Sequence, residues 1–414
     1  PVMGAAAFLM AEAVGVPYLA IAKAAIVPAL LYFTGIYIIV DLEAKKYGLV
    51  GMDKSQMPKL LVLLKEKGYL ILPLLVIIGF LGMGYTPIFA ALVGIASATL
   101  CDLIRHILAA ILPAARKAGG GKGGAVSKIA LPTLDDVFQS LHNGARGVLG
   151  VAVACGMAGI IVGMITLTGL GLKLGTGLSQ LAGGNVLLTL MLTMVASLIL
   201  GMGVPTTANY LITSTIMAGT VMKVLGCEML TAHMFVFYFG IVADITPPVA
   251  LASMAGSAIA KSDPFKTGLN SVKLAIAAFL VPYLFAFNQK MLFIGAQWYD
   301  IVQISATAIL GMIGIGAAME GYYTRHAHPI QRLLFLVGGL LLVDPQWFTD
   351  VLGICIIAVA ILWQAVENKR FGGRLEPSAN CYEGMSFGKK LGFMAGESFV
   401  MLGRLLKKEQ NLGA

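Results

Sequence analysis

The sequence predicts an all-α polytopic membrane protein, folded as an inverted repeat with interrupted or re-entrant helices and with its first repeat incomplete. Three observations carry that expectation. Of the 414 residues, 58% are hydrophobic and only 12% charged, with a mean hydropathy of +0.88, whereas a soluble domain carries about 25% charged residues. About nine to eleven apolar runs recur along the chain, many long enough to cross a hydrocarbon core of about 30 Å, and none shows the alternation of an outer-membrane strand. Finally, two distant stretches echo one another with their flanking loop charges reversed.

The elements follow in order. An apolar run over about 17–40 leads into a polar connector, 41–68, whose Lys45, Lys46, Lys54, Lys59, Lys65 and Lys67 mark the cytoplasmic side. Runs at about 69–85 and 87–112, separated by "GYTP", form a hairpin that returns to a second basic loop with Arg116, Lys117, Lys122 and Lys128. Within that loop "AGGGKGGA" (118–125) superficially resembles a phosphate loop, but Gly123 stands where Ser or Thr is needed and no strand precedes it, so it reads as a linker. A helix over about 144–168 crosses outward to a loop holding only Lys173. Two long apolar regions follow, 185–225 and 228–261; the first, as a continuous helix, would reach about 60 Å, twice the hydrocarbon thickness, so it must break or fold back. Between the outer loop near 173 and the inner one near 262 the number of crossings must be odd, so one of the two regions is a re-entrant hairpin or an uneven break.

A further apolar helix is expected over about 265–287, then three more near 301–320, 333–343 and 351–366, with Arg325, Arg332, Lys369, Arg370 and Arg374 on one side and "DPQWFTD" on the other. The basic, amphipathic stretch 387–408 is suited to the membrane surface. The chain thus divides into the end of a first repeat (1–40), the connector (41–68), a second repeat (69–287), accessory helices (288–370) and a basic tail (371–414). The net charge of +9 lies in these short loops and predicts no nucleic-acid partner.

The echo runs from "PVMGAAAFLMAEAVGVP" (1–17) to "PVALASMAGSAIAKSDP" (248–264), and from "VPALLYF" (27–33) to "VPYLFAF" (281–287). The first copy ends at the lysine-rich connector, while the second starts beside Lys261, Lys266 and Lys273 and ends in a lysine-poor segment. Corresponding helices therefore cross in opposite senses, the pattern of inverted-topology repeats common among secondary transporters.

Two interruptions fall at membrane depth, where unsatisfied backbone costs several kcal/mol unless it lines a cavity or packs on protein. In "GMGVPTTANY" (201–210), Gly201 and Gly203 permit unusual φ, Pro205 removes an amide donor and frees carbonyls, and Thr206, Thr207 and Asn209 offer neutral oxygens suited to a hard cation such as Na⁺. The amides opening the next half-helix suit a carboxylate. In "ADITPPVA" (243–250), Asp244 places a carboxylate among apolar residues, and Thr246 with Pro247 and Pro248 ends one helix and starts another. The candidate ion and substrate site is Gly201, Gly203, Val204, Pro205, Thr206, Thr207, Asn209, Asp244, Ile245, Thr246, Pro247 and Pro248, with Pro1 and Gly4 as its first-repeat counterpart.

Other polar groups carry less. Cys101, Cys155, Cys227, Cys355 and Cys381 are scattered without a CxxC pair, and His142, His233, His326 and His328 lack metal-ligand spacing, so neither a transition-metal nor a redox site is expected. Asp102, Arg105 and His106 read as a solvated helix end, and Glu12 and Glu320 as interfacial residues. An integral membrane enzyme would need paired acids, a Ser/His pair or metal ligands within spans; an assembly subunit without a site would leave both interruptions unexplained.

The segments "PVMGAAAFLMAE" (1–12), "GIIVGMITLTGLGLK" (159–173), "LGMGVPTTANY" (200–210) and "HMFVFYFGIVADITPPVALASMAGSAIA" (233–260) together resemble the large membrane subunit of tripartite ATP-independent periplasmic (TRAP) transporters, most closely the fused-permease branch, over about 1–290. That resemblance implies a sodium-coupled importer of organic acid anions such as dicarboxylates in a bacterial or archaeal inner membrane. It further implies a transport domain moving against a scaffold, no enzymatic activity, no cofactor beyond Na⁺ as coupling ion, and delivery by an extracytoplasmic solute-binding protein. In the family, another proline and a counterpart of the 201–210 break precede the first segment, and small-subunit helices stand at the front; this chain opens at Pro1 without them. One complete half of the site is therefore expected here, completed by a small membrane subunit or a missing N-terminal part. The chain alone is expected to give no sodium-dependent uptake in proteoliposomes, where robust activity would refute the fragment reading.

Overall fold

The computed structural model describes residues 4, 6–49, 64, 68–111, 134–343 and 347–371. Pro1, most of the lysine-rich connector, the 118–125 linker, Cys381 and the basic tail lie outside the described residues, as do the side chains of Arg105 and His106. Among the described residues every regular element is a helix, and the one β contact is an isolated bridge between Tyr322 and His326. Six helices are long and apolar enough to span a bilayer and five shorter ones are apolar, as expected of an all-α polytopic membrane protein.

α1 (Ala6–Val14) and α2 (Tyr18–Lys46) meet at Pro17. α2 runs six residues past the expected end, so Lys45 and Lys46 belong to its last turn rather than to the connector. α3 (Leu72–Gly82) and α4 (Pro87–Ile111) form the expected hairpin, with Gly84 at φ +85° in the turn and Gly94 leaving room for Ile77. α5 (Leu134–Thr168) starts ten residues earlier than the apolar run suggested, and α6 (Leu170–Leu181) departs from it at Gly169, φ +63°.

The first interrupted region comprises α7 (Val186–Gly201), α8 (Thr206–Thr213), a π-wound turn at Ser214–Ala218 and α9 (Gly219–Leu225). The second comprises α10 (Met229–Val242), a 3₁₀ turn at Ala243–Ile245 and α11 (Leu251–Ala260). α10 is buried on all sides, with every residue from Thr231 to Phe237 enclosed, and so forms the central helix of the main core. α12 (Pro264–Leu274) and α13 (Ile276–Phe287) together make the expected span, divided at Ala275.

The two echoed stretches fold alike. Each is a short helix, a turn, a proline (Pro17 or Pro264) and a span with an internal proline (Pro28 or Pro282), continuous in the first copy and divided at Ala275 in the second. Along α2, Lys23 lies 5.0 Å from the Phe293 ring, Gly35 packs on Ala277, and Lys46 shares a partner with Lys273. Ascending positions in one copy thus meet descending positions in the other, so the copies run antiparallel, as the reversed loop charges require.

α14 (Trp298–Glu320), α15 (Pro329–Leu341) and α16 (Trp347–Phe371) complete the fold. α14 lies along α2 where Gly35 receives Met312 and Gly316 receives Ile39, the small-residue contact that lets membrane helices approach. Glu320, expected as an interfacial residue, closes the last turn of α14 and is enclosed by protein: its side chain is 0% exposed, 2.8 Å from Lys273 Nζ and 3.6 Å from Lys46 Nζ. Three helices supply these groups, which is why the pairing was invisible in the sequence. Replacing Glu320 by Gln removes the carboxylate that Lys273 and Lys46 share, leaving Lys46 its bond to the Glu320 backbone carbonyl at 2.9 Å, and should cost about 3 kcal/mol, read as a lower melting temperature of the protein in detergent.

Candidate functional site

At the first break α7 ends on Gly201, Met202 is extended (φ −63°, ψ 121°), and Gly203 takes φ +74°. Pro205 (φ −55°, ψ 143°) then starts α8, whose first amides receive no side-chain cap. Of the two glycines expected to supply unusual φ, Gly203 does so. Gly201 stays helical and is needed for space instead: a Cβ there would lie 2.7 Å from Asn209 Nδ2 and 2.8 Å from the Gly240 carbonyl oxygen.

At the second break Thr246 is extended (φ −100°, ψ 125°), the Pro247–Pro248 bond is cis, and Ala250 takes φ +40° before α11. The Thr246 hydroxyl donates to the Val242 carbonyl at 2.7 Å, leaving its lone pairs free to accept, and Ser253 donates to the Ile245 carbonyl at 3.4 Å. Asp244 is half-buried and has no hydrogen-bond or ion-pair partner among the described residues.

The two breaks are joined by one side chain. Asn209 Nδ2 donates to the Gly240 carbonyl at 2.7 Å and approaches the Gly201 carbonyl at 3.4 Å. A Cβ on Gly203 would lie 3.8 Å from Val249 Cγ1, and one on Gly201 would stand 3.1 Å from Ala243 Cβ. Asn209 is 1% exposed, and its Oδ1 has no hydrogen-bond partner, nor has Ser197 Oγ one turn before Gly201. Val204 packs against the core; Thr207 is half-buried, while Pro205, Thr206 and Pro248 are exposed at the rim. Because Asn209 touches Gly201, the chain reverses at 202–205, and α7 packs against α8 and α9 as a helical hairpin. Of the two regions constrained by the crossing count, 185–225 therefore folds back and 228–261 is the broken span.

Gly4 sits exposed in a turn before α1 at φ +59°, with nothing within 4 Å of its Cβ position, so it is not drawn into this contact; Pro1 lies outside the described residues. α1 itself packs against α8 and α10 through a buried face of Ala6, Ala7 and Met10. Sequence reasoning missed Gly240, whose one signal is a lone glycine among bulky residues in "FVFYFGIV".

The contact brings together the Asn209 carboxamide and the Gly201 and Gly240 carbonyls, with the Thr206, Thr207 and Thr246 hydroxyls and the Asp244 carboxylate on the flanking turns. Such a donor set suits a hard monovalent cation better than a transition metal; among the described residues no group of three His, Cys, Asp or Glu is assembled.

The family model of the tripartite ATP-independent periplasmic transporter, DctM component, matches residues 1–298, which hold both breaks and both copies of the echo. No curated protein and no solved structure matches the chain. Members of this family are membrane-embedded transporter components and not enzymes.

Gly240→Ala would place a methyl 2.7 Å from Asn209 Oδ1. It should push the two breaks apart at a cost of about 1–3 kcal/mol, seen as a lower melting temperature, with Gly219→Ala, where nothing lies within 4 Å, as the neutral control.

Proposed function

This chain belongs to the DctM component family of tripartite ATP-independent periplasmic transporters, and we propose that it is the permease subunit of a sodium-coupled importer of organic acid anions, dicarboxylates among them. In this reading an extracytoplasmic solute-binding protein delivers the anion, and a small membrane subunit or the preceding first-repeat segment completes the inner-membrane assembly. The observation that carries the reading is the double attachment of Asn209 to Gly201 and Gly240, with its own Oδ1 buried and unpartnered.

The mechanism follows from the geometry. A sodium ion would exchange water for Asn209 Oδ1 and neighbouring hydroxyl and carbonyl oxygens, and the unpaired Asp244 carboxylate on the adjoining turn would offset its charge. The uncapped amides opening α8 are suited to hold an anionic cargo beside the cation. Bound together, ion and cargo would hold hairpin and broken span more tightly than either alone, so that binding of one would raise affinity for the other.

Two variants test this in proteoliposomes holding the complete permease with its binding protein. Uptake of a labelled dicarboxylate should need an inward sodium gradient. Asn209→Leu should weaken apparent sodium affinity by about tenfold or more, the equivalent of one lost charge-assisted hydrogen bond or ligand. The double change Thr206→Val with Thr207→Val should reduce sodium dependence; unchanged sodium dependence in both variants would remove the reading.

A further inference from the structure

We propose that Tyr210 and His233 form a latch that positions Asn209 and thereby sets the sodium affinity of the joined breaks; the inference rests on the sodium reading above. Tyr210 Oη lies 2.8 Å from His233 Nδ1, and the residues are 1% and 7% exposed. With a neutral imidazole carrying its proton on Nε2, the phenol donates and Nδ1 accepts. The same phenol ring stands edge-on to Phe237, with centroids 5.6 Å apart at 87°.

The need for a latch follows from α8. It has eight residues, begins at the break and ends in the π-wound turn Ser214–Ala218. The break at 202–205 separates α8 from α7, and the π-wound turn shifts its register relative to α9, so contacts across to α10 decide where Asn209 stands. Side chains must supply the positioning. Asn209 and Tyr210 are consecutive and both reach α10, at Gly240 and at His233, about 10 Å apart along that helix. Two attachments at different heights add to the packing of α8 and hold both its rotation and its axial position against α10. His233, which shows no metal-ligand pattern in the sequence, thereby acquires a role as a positioning residue.

Sodium binding to the permease together with its small membrane subunit in lipid nanodiscs, titrated with sodium chloride against choline at constant ionic strength, tests the proposal. Tyr210→Phe and His233→Leu should each weaken sodium binding by about tenfold, the loss of one buried hydrogen bond. His233→Gln, whose carboxamide oxygen can still accept from the phenol, should stay within about threefold of the parent. In the double variant Tyr210→Phe/His233→Leu neither half of this hydrogen bond is left unpaired, so the melting temperature should return toward the parent value while sodium affinity remains weak. Parent-like affinity in both single variants would overturn the latch, as would affinity that recovers with the melting temperature in the double variant. A parent chain with no saturable sodium binding would overturn the sodium reading itself, a result distinct from parent-like binding in the variants.

Discussion

A main-chain carbonyl that leaves its helix inside a bilayer has no water to turn to, and the fold around residues 201 and 240 answers that constraint. The Asn209 carboxamide donates to carbonyls of both helices that approach the breaks, so one side chain takes the place of hydrogen bonds that regular helix would have made. The arrangement works only if the backbones come close, and Gly201 and Gly240 are small for that reason. Joining the breaks also leaves one carboxamide oxygen buried without a partner. A buried orphan acceptor is costly unless something else coordinates it, and that cost supports the cation site proposed above.

The same economy of small residues governs the helices beyond the family match. α14 lies on α2 because Gly35 and Gly316 admit Met312 and Ile39, and α14 meets α15 where Gly311 and Gly339 face one another. Apolar packing gives little direction in lipid, since the tails are as greasy as the side chains. The Glu320 carboxylate held by Lys46 and Lys273 adds what packing lacks, a unique angular setting of three helices. The extension thus builds onto the family core through α2 and the second repeat copy, while the joined breaks draw their contacts from α7 through α11 and α1.

Much of this was legible in the chain. Hydropathy marked the membrane helices, because a segment crossing lipid must be apolar almost throughout. The "GYTP" hairpin, the two interruptions and the antiparallel copies were all readable from prolines, glycines and loop lysines. Boundaries were less legible: α2 continues through charged residues up to Lys46 and α5 starts at Leu134, since a helix can extend past its apolar stretch as long as its backbone hydrogen bonds continue. Counting crossings demanded that one region be uneven without telling which, because hairpin and broken span have the same composition.

By itself, then, the sequence determined the class of fold, the positions of the breaks and the opposed sense of the two copies, all local or periodic properties that each segment carries alone. Only the tertiary structure decided that 202–205 is a reversal, that Asn209 rather than Thr206 stands at the centre, that Gly201 is needed for closeness rather than for an unusual φ, and that Glu320 is buried between two lysines. Each of these depends on which residue arrives opposite, and partners 31, 47 and 274 positions apart in the chain leave no periodic trace for a sequence to show.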